Sequence, residues 1–65
     1  MPNFTKLPAY LERIFPYLIT NVSARQISVR TGLAIRTIQA YTQEIYEIYD
    51  VHSREGLIRE VRRSQ

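Results

Sequence analysis

The stretch SARQISVRTGLAIRTIQAYT, residues 23–42, holds two short helical patterns separated by a single glycine, Gly32. Ser23 followed three residues later by Gln26 makes a capping box, in which the serine oxygen takes a free N–H and the glutamine reaches back. A helix is therefore predicted over 24–31, with Ile27 facing the core and Ser28 small enough to let a second helix approach. Gly32 is where a left-handed residue would stop it, since glycine takes positive φ without a Cβ penalty. Another helix follows from about Ile35. At about 100° per residue, Ile38, Ile45 and Tyr49 share one side, flanked by Ile35, Tyr41, Thr42, Tyr46 and Ile48. Arg36, Gln39, Ala40, Gln43 and Glu47 point the other way. A buried Ile27, a small Ser28, a turn glycine, then Leu33 and a buried Ile38 are what a helix-turn-helix needs to hold two helices at a wide angle. The same spacing also suits a plain helical hairpin.

Working outward, the N-terminal side carries Leu7, Tyr10, Leu11, Ile14, Phe15 and Leu18 at three-and-four spacing, which predicts a helix over about 8–19. Pro16 lies inside it, so a kink or break is expected after Phe15. TNVS, residues 20–23, reads as a loop. On the C-terminal side Ser53 caps a helix over about 53–63, with Leu57, Ile58 and Val61 as its apolar stripe and Arg62 and Arg63 in its last turn. The expectation is an all-α, four-helix single domain over 1–65 with a central helix-turn-helix.

Composition narrows the function. A chain of 65 residues buries only about 60% of the surface its unfolded form exposes, which leaves a thin core and no room for a deep catalytic cavity. There is no cysteine, hence neither a disulfide framework nor a cysteine-type zinc site. No segment approaches the roughly 20 apolar residues of a membrane span, and the N-terminus lacks a basic region followed by an apolar run. A cytoplasmic, non-membrane protein is expected. Nine Lys and Arg stand against six Asp and Glu, for a net charge of +3, and all the cations but Lys6 are arginine, whose planar fork suits phosphate. Positive charge is local: residues 37–53 carry Glu44, Glu47 and Asp50 and no Lys or Arg. These acids read as a solvated face pairing with Arg54 or other arginines. His52 has no cysteine partner, so no metal, cofactor or catalytic residue is assigned.

From Leu7 to about Val61 the chain resembles the LuxR/GerE-type DNA-binding domain. Ser23, Arg25, Gln26 and Ile27 look like that family's polar cap and buried isoleucine, Leu33 like its aliphatic residue after the turn, and Thr37-Ile38 like its Thr-Val pair. Ile45-Tyr46, Val51, Ser53 and Arg54 fall where the family has Ile-Tyr, Val and Ser-Arg. The family usually has Ser at the place of Ala34, His at Tyr41, Lys at Ile48 and Gln39, and Leu at Thr31. Ala34 leaves its helix without a good cap, at a cost of about 1 kcal/mol. Thr31 weakens a core position, and the missing lysines lower the positive potential.

The resemblance implies a sequence-specific duplex-DNA-binding transcriptional regulator without catalytic activity. Arg36, Gln39, Ala40 and Gln43 would read base edges, with glutamine suited to adenine and alanine to a thymine methyl. Arg25, Arg30, Thr37 and Tyr41 would meet phosphate, while Glu47 and Asp50, repelled by phosphates, would limit how deep the helix goes. The family's last helix forms a two-fold interface, which here implies a weak homodimer through Gly56, Leu57, Ile58 and Val61; the alternative is a monomer whose last helix only closes the core. Another transcription factor or RNA polymerase is a further candidate partner. A different class of function also fits: a protein-interaction module of the same fold that pairs with a related regulator.

Overall fold

The computed structural model describes residues 7–63, and they are all helical apart from turns and loops. The order is α1 (Ala9–Glu12), α2 (Phe15–Ile19), α3 (Ala24–Thr31), α4 (Ile35–Tyr49) and α5 (Arg54–Arg63). The predicted first helix is thus two, and the break lies at Arg13–Ile14 rather than after Phe15. Proline explains the shift. Pro16 has no N–H to give the Glu12 carbonyl and its ring crowds that carbonyl, so the disruption falls one turn upstream. The Ile14 N–H bonds instead to Leu11 O at 3.2 Å, a tightened turn, and Pro16 then sits in the first turn of α2, where its missing donor costs little.

Beyond α2 the chain reverses at Asn21, with φ +64°, a left-handed conformation that asparagine tolerates. The Ser23 Oγ accepts from Gln26 N at 3.2 Å, the serine half of the predicted capping box, and α3 begins. Gly32 ends it at φ +78°, its N–H bonded to Ser28 O at 2.9 Å. Two hydroxyls fix the turn that follows. Ser28 Oγ donates to Leu33 O at 2.6 Å, while Thr31 Oγ1 donates to Ile27 O at 2.7 Å and accepts from Leu33 N at 3.2 Å. Thr31 therefore supplies polar closure for the turn rather than a weakened core position.

Every helix contributes to one small core: Leu11 from α1, Leu18 from α2, Ile27 from α3, Ile38 and Ile45 from α4 and Leu57 from α5, joined by Leu7 and Ile14. No polar or charged residue among those described is buried. Phe15 is only half-buried and stacks on Tyr49 with ring centroids 5.7 Å apart. The flank of α4 is more open than its pattern implied, because Ile35 and Ile48 remain 41% and 37% exposed.

Arg54 ties α5 to the loop between α2 and α3. It is half-buried at the start of α5, and its guanidinium donates to Val22 O at 2.5 Å, just before the cap of α3. The expected pairing of Arg54 with the acids of residues 44–50 is replaced by this bond to a backbone carbonyl. Ser53 caps α5 as predicted, its Oγ accepting from Gly56 N at 3.0 Å.

Candidate nucleic-acid interface

The turn between α3 and α4 holds the second helix against the first by backbone and hydroxyl bonds, leaving its far side uncovered. Arg36, Gln39, Ala40 and Gln43 are all exposed. Around the helix axis Arg36, Ala40 and Gln43 fall in a sector about 60° wide with Gln39 about 40° beyond its edge, and from Arg36 to Gln43 they span about 10 Å. Four candidate base-reading residues thus share one accessible face. Ala34 precedes the helix in an extended conformation and makes no side-chain cap, so the first N–H groups of α4 receive no side-chain bond from it.

The candidate phosphate residues are less unified. Arg25 and Arg30 are exposed on α3, yet five residues place them about 140° apart around its axis, so they face different neighbours. Arg25 shares its side of α3 with Val29, which is 75% exposed. Thr37 and Tyr41 are half-buried on the flank of α4 that meets α1. There Tyr10 sets its ring edge-on to Tyr41, centroids 5.1 Å apart and planes at 66°, and donates its hydroxyl to Glu44 Oε1 at 2.5 Å. That bond, with smaller contributions from desolvation and the carboxylate's charge, raises the Tyr10 pKa above its ordinary value. A carboxylate one turn from Tyr41 opposes a phosphate there, so Tyr41 acts first as a packing residue. Nothing local in the sequence announces the Tyr10–Glu44 pair, whose members are 34 positions apart.

Beyond Gln43 the outer face turns acidic. Glu47 and Asp50 are exposed, and Asp50 has a backbone role as well: at φ +56° it ends α4, and Val51 N then bonds to Tyr46 O at 2.9 Å. A further basic residue, Arg13, is tied down. Its Nη2 donates to Thr31 O at 3.2 Å, serving one of the last carbonyls of α3.

The four residues expected at a dimer interface separate in the same way. Leu57 is 0% exposed and packs in the core of its own chain. Gly56 and Val61 are partly buried, and a Cβ on Gly56 would stand 3.4 Å from both Val51 Cβ and Ser53 Oγ of its own chain. Ile58, also partly buried, lines an open concavity on the surface of α5.

Among the described residues no three histidine, cysteine, aspartate or glutamate side chains come together as a metal site, and no helix is long and apolar enough to cross a membrane. Comparison with family models, with curated proteins and with solved structures finds no match to this chain.

Proposed function

We propose that this chain is a duplex-DNA-binding transcriptional regulator that uses α3 and α4 as a helix-turn-helix of the LuxR/GerE kind. One observation carries the reading: on a helix held by the Ser28, Thr31 and Gly32 turn, Arg36, Gln39, Ala40 and Gln43 stand exposed on a single uncovered face. A helix entering a major groove needs such a face, with side chains that match base edges. Arg25, exposed on the neighbouring helix, would supply a cation for phosphate, and α4 itself carries no Lys or Arg after Arg36. Two copies would meet only weakly on an operator with two half-sites, because Leu57 is committed to the core.

Titration of the protein against duplex DNA at low and rising salt tests the proposal. The binding constant should fall steeply with salt, as it does when phosphates are neutralised and counterions released. No binding at low salt, or binding without salt dependence, overturns it. A selection from random duplexes then yields the operator, for which A·T-containing half-sites are expected.

A further inference from the structure

Apart from Ile58, which was expected at a dimer interface, the outer face of α5 has no part in that reading. Glu55, Ile58, Arg59, Arg62 and Arg63, spaced as one side of a helix, surround an open concavity of about 420 Å³. Ile58 is partly exposed at one edge of this side, and the three arginines are exposed beside it. Within the described residues Arg59 and Arg62 make no hydrogen bond or ion pair. Arg63 has one ion pair, with Glu60 at 3.6 Å, and its side chain remains 74% exposed, so that pair holds it weakly. The face is one aliphatic side chain bordered by three cations and one carboxylate.

Occupants differ in how much of this they satisfy. A second copy would bring the same face, setting six arginines against two glutamates, a like-charge excess that opposes association. Duplex phosphates would satisfy the guanidiniums and leave Ile58 against a polyanion. An amphipathic helix whose apolar stripe is bordered by Asp or Glu satisfies both, covering Ile58 with an aliphatic side chain and offering carboxylates to arginine forks. We propose that the outer face of α5 is a docking site for an acidic amphipathic helix of another protein. The site is separate from the α4 face and does not depend on DNA binding there.

Calorimetric titration with synthetic helical peptides tests it. One peptide carries a leucine stripe bordered by glutamates, a second has glutamines in place of the glutamates, and a third has alanines in place of the leucines. The first should bind, and the other two should bind at least ~10-fold more weakly, since each loses one of the two complementary elements. The Arg59→Glu/Arg62→Glu chain, altered only at exposed positions, should lose the first peptide to a similar degree with its circular dichroism unchanged; Arg59→Gln/Arg62→Gln replaces it if charge reversal unfolds the domain. Equal binding of the glutamine peptide, or of the alanine peptide, overturns the proposal. So does an arginine variant that keeps the peptide. If the variant instead loses duplex DNA with its salt slope reduced by about two, the arginines belong to the DNA footprint and the proposal fails. A parent dimer in sedimentation that the variant dissociates gives the face to a second copy and overturns it equally.

Discussion

The α3–α4 turn and the α1–α2 junction both redirect the chain within a few residues, but by opposite means. The turn is closed by added bonds: Ser28 and Thr31 hydroxyls reach Leu33, and Gly32 takes φ +78°. The junction is made by a missing bond, since Pro16 cannot donate to Glu12 and the helix restarts from Ile14. A turn built from bonds fixes the angle of the helix beyond it. A break only permits two short segments to settle where the core puts them, and Ile14 and Leu18, both at 0% exposure, do the settling.

That contrast predicts where stability resides. Leu18→Ala should cost about 2–5 kcal/mol, enough to unfold most of so small a domain, because it empties a fully buried site beside the break. Phe15→Ala, three residues away, should cost less, about 1–3 kcal/mol, since its ring is half-buried against Tyr49. Thermal melts of the two variants rank them, and equal losses would mean that packing across the break is not concentrated on the buried residues.

Substitution of the two turn-makers sharpens the comparison further. Gly32→Ala should cost about 1–2 kcal/mol through backbone strain alone, because a Cβ there meets nothing within 4 Å yet φ is left-handed. Pro16→Ala should change stability by less than about 1 kcal/mol, since in the first turn of α2 the missing donor costs little, and any bond regained to Glu12 is offset by the loss of unfolded-state stiffness. Chemical denaturation measures both. A larger loss at Pro16 than at Gly32 would reverse the account of the two bends.

The smallest effect is expected where α1 meets α4. Tyr10 has its pKa raised, chiefly by its bond to Glu44, so its contribution is complete below the unfolded-state pKa and declines as pH rises through the folded-state value. Burial raises the Tyr49 pKa too and acts in the same direction. Tyr10→Phe should therefore reduce, without abolishing, the loss of stability on the alkaline side. An unchanged alkaline limb in that variant would remove the Tyr10–Glu44 bond from the account.

How much could be read beforehand follows the same division between local and distant causes. Ser23, Gly32 and Ser53 announce themselves, because a cap or a left-handed stop is decided by the residue and its near neighbours. The outward set Arg36, Gln39, Ala40 and Gln43 follows from helical period and a buried Ile38 and Ile45. The flank of α4 does not follow. Tyr41 and Ile48 sit on the same flank, yet Tyr10 covers one and leaves the other 37% exposed, and α1's position depends on where the proline break falls. Arg54 was visible as a charged residue near acids, but its partner, the Val22 carbonyl, is set by tertiary packing 32 residues away. Leu57 illustrates the last difficulty: periodicity places Leu57, Ile58 and Val61 on one stripe and cannot say which of them the thin core will consume.

The central claim is that the outward face of α4 reads DNA, and the most direct measurement compares the parent with Gln39→Ala, Gln43→Ala and Arg25→Ala on a selected duplex and its scrambled counterpart over a range of salt. Each glutamine variant should lose about 1–3 kcal/mol of preference at particular base pairs with the salt slope intact. Arg25→Ala should weaken both duplexes alike and flatten the slope by about one. If both glutamine variants bind the two duplexes as the parent does, α4 is not the reading element and the chain is better understood as an interaction module.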